Sequence, residues 1–267
     1  MNRENIKICV MRVAGTNRDA DAAACLEDQG AIVEVLHLND VIRRRNLGNY
    51  HGLVLPGGFA YGDYVRAGAI WAKRLQNFLG QDLRSFAESG KPILGICNGF
   101  QALVEAGLLP SLDFSESPVV SLAPNTSGRF ECRWAYLRTN KNSPCVFTTN
   151  LANLSKFPVA HGEGRFITQS PEILESLSRN NQIALQYARP DGNLALQSYP
   201  ENPNGSELDI AGICTSSGTV MGLMPHPENA YWGYQTPDWT ASKERISPRG
   251  DGLGIFKSMV DYLEKKF

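Results

Sequence analysis

The hydrophobic pattern of the first hundred residues alternates between short apolar runs and longer mixed segments. Ile6 to Val13 is an apolar run fit for a central strand, broken by Ala14-Gly15-Thr16-Asn17, where Thr16 or Asn17 is placed to cap a helix. Arg18 to Asp28 is alanine-rich and stops at Gln29-Gly30, which predicts a helix with a glycine end. Ala31 to Leu38 reads as a second strand, Asp40 to Leu47 as a short basic helix, and His51 to Pro56 as a third strand. A helix from about Ala69 to Glu88 follows, then the buried strand Ile93 to Ile96, then a helix beginning near Phe100. Strand and helix in alternation imply right-handed crossovers and a doubly wound, largely parallel central sheet flanked by helices, an α/β fold.

The second half has a different texture. From Pro110 to Pro203 helix signals thin out and proline, asparagine and serine become frequent. Phe130 to Leu137 alternates like a half-buried strand. Pro158 to Phe166 reads as a strand followed by a loop of glycine and charge. Ile183 to Tyr187, Ile210 to Cys214 and Val220 to Met224 are further strands, with turns at Asp191-Gly192 and Asn204-Gly205. Tyr231 to Gly250 reads as an ordered aromatic loop, and Leu253 to Lys266 as an amphipathic helix. These strands extend the first sheet, so residues 1–267 are expected to form a single domain without internal repeats.

Composition narrows the class. Hydrophobic content of 42% and charged content of 20% are ordinary for a globular chain. A net charge of −1 gives no basic excess for nucleic acid, and no apolar run approaches the length of a membrane helix. No apolar signal region precedes the first strand. The six cysteines are scattered without C-x-x-C spacing, which favours reduced thiols in the cytoplasm over disulfides or a metal site.

The candidate chemistry starts at Cys97, which falls at the sharp turn between strand and helix in P-I-L-G-I-C-N-G-F-Q-A-L. That is the nucleophile-elbow arrangement, with sulfur in place of oxygen; the other reading is a buried structural cysteine. The helix N-terminus behind it favours thiolate. Ligands of such sheets bind beyond the carboxyl ends of the strands, where Pro56-Gly57-Gly58-Phe59 also falls. Acyl transfer needs two donors for an oxyanion, and the N–H of Asn98 and one from Gly57-Gly58 are placed for it, unless the glycines form a plain turn. The loop Tyr61 to Gly68 either lines that pocket or covers the sheet. Pro225-His226-Pro227-Glu228 taken alone reads as an exposed turn, but beside an elbow cysteine an extended chain would put His226 and Glu228 on one face, a base with its orienting carboxylate. His37 and His51 read as structural. His161 competes as base, because H-G-E-G-R also sets a histidine beside a carboxylate, and Arg165 is placed to bind a substrate carboxylate.

The block from Pro92 to Leu103 resembles the nucleophile signature of the class I (triad) glutamine amidotransferases, whose sheet is flavodoxin-like. A-G-T-N, L-P-G-G-F-A-Y-G-D-Y-V-R-A-G, P-V-A-H-G-E-G-R-F and G-L-M-P-H-P-E are similar to blocks of the separate-chain glutaminase subunits of phosphoribosylformylglycinamidine synthases. The resemblance implies Cys97 as nucleophile, His226 as base, Glu228 as its orienter, an oxyanion hole from Gly57, Gly58 and Asn98, and Gln101 in substrate binding. It implies hydrolysis of glutamine through a Cys97 thioester, with ammonia passed to a PurL-type synthetase subunit beside a small PurS-type subunit. ATP and Mg²⁺ then belong to that partner; this chain has no G-x-x-x-x-G-K-[ST] and no G-x-G-x-x-G after a strand. On this reading His161 gives up the base role and its loop serves partner contact or ammonia transfer. Two rivals stand beside it: a stand-alone cysteine hydrolase of γ-glutamyl substrates, and a non-catalytic interaction subunit. The chain departs from the family's blocks at Ala14 (proline there), Arg18 (cysteine) and Asn229 (arginine).

Overall fold

In a computed structural model the chain is described over residues 1–112, 117–241 and 248–267. Strand β1 (Lys7–Arg12) buries its four middle residues in a row, so it needs cover on both faces and lies inside a sheet. It pairs in parallel with β2 (Ile32–His37) on one side and β3 (Gly52–Leu55) on the other. β3 pairs with β4 (Ile93–Ile96), and β4 with β11 (Val220–Leu223), both in parallel. The sheet then continues antiparallel through β10 (Ile210–Cys214), β9 (Ile183–Ala188), β6 (Glu131–Thr139) and β7 (Leu154–His161). The order is β2-β1-β3-β4-β11-β10-β9-β6-β7. A separate pair joins β5 (Val120–Pro124) to β8 (Glu163–Thr168).

Helix α1 (Asp19–Asp28) packs with α6 (Leu253–Lys266), and α3 (Ala69–Glu88) with α4 (Asn98–Glu105). α3 and α6 keep the bounds that the pattern predicts. α2 covers Leu38–Arg44, earlier than expected, because His37 Nδ1 accepts the Asn39 N–H and caps it. α1 takes neither predicted cap: its N-cap is Arg18, while Thr16 Oγ1 turns back to accept the Val13 N–H. In the strand-rich half a helix, α5 (Pro171–Arg179), is inserted between β8 and β9. The expected loop after His161 is instead a turn at Gly162 leading into β8. Of the segment Tyr231 to Gly250, residues 242–247 lie outside the described residues; the remainder is pinned by a bridge between Trp232 and Arg249.

The parallel strands run in register, so the ends of β1, β3, β4 and β11 open on one edge of the sheet. The site residues derive from these strand ends, from β7 and from the start of β8.

Candidate active site

Cys97 follows β4 directly and adopts φ 50°, ψ −105°, a conformation that a residue with a side chain pays to hold. Its N–H donates to Leu223 O at 2.8 Å, which ties the turn to the end of β11. α4 begins at the next residue, so the thiol stands at the helix N-terminus. The side chain is 5% exposed, and Sγ donates to Ala160 O of β7 at 3.7 Å. Elsewhere in the fold, burial first, then the Glu34 charge, pushes Cys9 up to about 12, burial raises Cys25 and Cys145, and the hydrogen bond with Cys145 lowers Cys214.

From β11 the chain passes through Pro225 to His226, which is extended (φ −103°, ψ 92°) and anchored by its N–H to Pro158 O at 2.8 Å. The chain does not stay extended, as Pro227–Ala230 forms a 3-10 turn. Even so, Glu228 Oε1 meets His226 Nδ1 at 2.6 Å, with both residues buried (5% and 1% exposed). This bond makes Nδ1 the protonated nitrogen and leaves Nε2, buried and without a hydrogen-bond partner among the described residues, for the thiol. Burial works against a charged imidazole here, but the Glu228 carboxylate and the Cys97 thiol outweigh it and raise the pKa to about 10.

The Gly57-Gly58 loop fits closely around this pair. A Cβ on Gly57 would lie 2.8 Å from His226 Cε1, closer than real contacts allow, and 3.5 Å from Cys97 Cβ, so only glycine leaves the imidazole in place. Gly58 takes φ +152°, which side chains rarely adopt. Neither the Gly58 N–H nor the Asn98 N–H donates to a group among the described residues. The Asn98 side chain joins the two segments: its Oδ1 accepts the Ala60 N–H at 2.9 Å, and its Nδ2 donates to Gln101 Oε1 at 2.9 Å and Asp63 Oδ1 at 3.1 Å.

Cys97 opens on a pocket of about 140 Å³ lined also by Gly58, Gln101, Asp63, His161 and Glu163. The Tyr61–Gly68 loop therefore lines the pocket through Asp63 and Ala67. Ala160 also borders a second cavity of about 320 Å³, which holds His226, Arg18, Trp134 and Asn229. His161 is buried, with Nδ1 against Asn125 Oδ1 (3.2 Å) and Nε2 near Asn204 Nδ2 (3.5 Å). Burial, then the nearby His226 charge, lowers its pKa to about 3, so it stays neutral and its nitrogens are taken. Arg165 faces elsewhere, donating from Nε to Pro124 O. His37 and His51 lie away from the site, and each accepts a backbone N–H. Among the described residues no group of three His, Cys, Asp or Glu is placed to hold a metal ion, and no helix is long and apolar enough to cross a membrane. Asp63 and the Ala160 carbonyl escape the sequence reading. The first sits inside a motif without a local partner, and the second is a backbone group supplied by a distant strand.

A thiol at a strained strand-to-helix turn, an imidazole backed by a buried carboxylate and two free N–H groups define a triad-type cysteine acyl-transfer site on a doubly wound sheet. Residues 5–263 match the family described as the CobB/CobQ-like glutamine amidotransferase domain, and the chain belongs to that family. It is 45% identical to the phosphoribosylformylglycinamidine synthase subunit PurQ of Archaeoglobus fulgidus, over 99% of this chain and all of that one. It is 41% identical to the subunit of the same name from Methanococcus maripaludis strain C7, over 97% of this chain and 98% of the other. Among solved structures, PurLQS from Thermotoga maritima superposes with a TM-score of 0.72 at 33% identity, covering 97% of this chain and 99% of that one. A glutamine amidotransferase from the same organism, 17% identical, shares the fold with a TM-score of 0.54 over 97% of this chain and 98% of that one.

Proposed function

We propose that this chain is the glutaminase subunit of a phosphoribosylformylglycinamidine synthase, with Cys97 as nucleophile, His226 as base and Glu228 as its orienter. The observation that carries the site assignment is the buried Glu228–His226 pair at 2.6 Å beside the elbow thiol. With a proton already on His226 Nε2, as the raised imidazole pKa favours, Cys97 Sγ attacks the γ-carbonyl carbon of glutamine. The carbonyl oxygen becomes an oxyanion held by the Gly58 and Asn98 N–H groups. As the C–N bond breaks, the imidazolium gives the proton to the departing nitrogen, which leaves as ammonia. Water then attacks the γ-glutamyl thioester and passes a proton to Nε2; the C–S bond breaks, Nε2 keeps the proton for the next turnover and glutamate leaves. Gln101, fixed by Asn98 and by Glu163 O, shapes the pocket that receives the amide side chain.

The ammonia passes to a PurL-type synthetase subunit, which uses ATP and Mg²⁺ to convert formylglycinamide ribonucleotide into its amidine in purine biosynthesis, with a small PurS-type subunit in the complex. The subunit names of the relatives and the PurLQS structure support this partnership. An aromatic rim also suits a protein cover: Phe59 and Phe130 stack at 6.3 Å beside the pocket mouth, and Tyr64 is 75% exposed. We read residues 1–267 as one domain because β10, β9, β6 and β7 continue the parallel sheet, and we place the protein in the cytoplasm with its six free thiols. The test is the glutaminase rate with and without the synthetase partners. Partners raise the rate, and Cys97→Ala and His226→Ala abolish it, while His161→Ala keeps a measurable part. Wild-type activity in Cys97→Ala would overturn the assignment. A rate indifferent to partners would point to a stand-alone hydrolase.

A further inference from the structure

The thiolate chemistry leaves unexplained how the pocket tells glutamine from any other primary amide. The pocket is a ligand site independently of its acidic groups, since Cys97 opens on it and His226, a residue 5% exposed whose Nε2 is unpartnered among the described residues, stands beside that thiol. Two carboxylates border the same space. Asp63 is held by one oxygen, Oδ1, which accepts from Asn98 Nδ2 at 3.1 Å, one residue from the nucleophile. Glu163 is held by Oε2, which accepts the Ala67 N–H at 3.2 Å, and its carbonyl accepts from Gln101 Nε2. Asp63 Oδ2 and Glu163 Oε1 have no partner among the described residues.

The cation whose charge reaches Glu163 has its hydrogen bonds directed elsewhere. Arg66, adjacent in the loop, is engaged by both oxygens of Glu105. The pocket's histidine, His161, is neutral. Burial, and then the charge of Glu163, raise the pKa of Asp63 against the Asn98 hydrogen bond, as expected of two carboxylates facing one space. The backbone reinforces the placement: Tyr61, Gly62, Asp63 and Val65 all have positive φ (54°, 69°, 53° and 74°). For valine that is a strained conformation, of the kind retained where a loop must present a group.

We propose that Asp63 and Glu163 bind the α-ammonium of glutamine and thereby select amino-acid amides over other primary amides. The inference rests on the glutaminase reading above. With the γ-amide at Cys97, the cationic head group lies across the pocket between the two free carboxylate oxygens. The accompanying α-carboxylate, offered no cation by the pocket lining, faces the mouth.

Asp63→Asn and Glu163→Gln keep an oxygen for Asn98 Nδ2 and for the Ala67 N–H but remove the charge, so they test the ion pair without dismantling the loop. Kinetics are measured on the complex with glutamine and with glutaramate, the same amide without the α-ammonium. Wild type prefers glutamine. Each variant raises KM for glutamine about ten- to a hundredfold and shrinks the preference over glutaramate by a similar factor. Unchanged iodoacetamide labelling of Cys97 confirms that the nucleophile is intact. A glutamine KM within twofold of wild type in both variants overturns the proposal, as does an equal loss on both substrates. The two readings fail separately. If Cys97→Ala is inactive and the acid variants still discriminate as wild type does, only the ammonium site falls. If Cys97→Ala retains activity, the glutaminase site itself is misassigned and the ammonium site falls with it.

Discussion

At the scale of the residue, this site depends on atoms that are missing. Gly57 has ordinary backbone angles, so an alanine there would carry no conformational strain, but its Cβ would press 2.8 Å from His226 Cε1 and 3.4 Å from Nδ1. The imidazole is buried and bound at Nδ1 to Glu228, so it cannot retreat without lengthening that bond. Gly57→Ala is therefore expected to fold with a melting temperature near wild type and to lose about a hundredfold or more in kcat/KM, because a displaced base costs most of its catalytic factor. Paired thermal melts and glutaminase kinetics check it; a fall in stability equal to the fall in rate would mean that the residue matters to folding instead. Glu228→Gln isolates charge from shape. The amide oxygen still accepts from Nδ1, but the imidazole loses the carboxylate that raises its pKa. Its acid–base activity is expected to fall by about ten- to a thousandfold, as measured by kcat with glutamine.

At the scale of the element, the proposed triad is held by the packing of α4 on β11. Phe100 of α4 is fully buried, and its ring fills the space over Gly222, where a Cβ would stand 1.9 Å from Phe100 Cδ2. Phe100→Ala would open a cavity between the helix that starts beside Cys97 and the strand that leads to His226. It is expected to cost about 3–5 kcal/mol in urea unfolding, with glutaminase activity falling under conditions where the chain is still folded. The elements most legible in the sequence are those with a strong local period: β1, β4, α3 and the terminal α6. Cys97, His226 and Glu228 were legible too, because each sits in a short motif at the end of a parallel strand. What stayed hidden depends on partners far along the chain. β8 reads as a loop because Gly164 and two charges dominate it, yet that glycine is required by the fold: a Cβ there would lie 2.4 Å from His161 Nδ1. β8 exists through pairing with β5, which no local pattern reveals. α5 carried the signals Ser170-Pro171-Glu172, but few of its residues are buried and its apolar stripe is short. Strand alternation predicts the His226–Glu228 pairing, which is instead achieved by a 3-10 turn, so the two side chains meet by a different route.

At the scale of the whole molecule, the two buried histidines should leave opposite marks on stability. His161 has its pKa lowered to about 3 by burial and by His226, so below the unfolded value of about 6.5 the unfolded chain takes up a proton that the folded chain refuses. Its contribution is complete above about 6.5 and is lost as pH falls from there toward 3. His226 has its pKa raised to about 10, because the Glu228 carboxylate and the thiol outweigh burial. The folded chain then holds a proton that the unfolded chain releases, so its contribution is complete below about 6.5 and is lost as pH rises toward about 10. Each limb has a limiting slope of about 1.4 kcal/mol per pH unit, the value for one proton. Stability to urea should therefore peak near neutrality, with one arm assigned to each histidine. His226→Gln should flatten the alkaline arm and leave the acid arm, while His161→Gln should do the reverse, since a glutamine there can still bond to Asn125 and Asn204. Equilibrium unfolding midpoints from pH 4 to 10 for the three proteins check this. An alkaline arm that persists in His226→Gln would show that the imidazole is not held charged by Glu228, and the proton economy of the proposed glutaminase cycle would then need a different base.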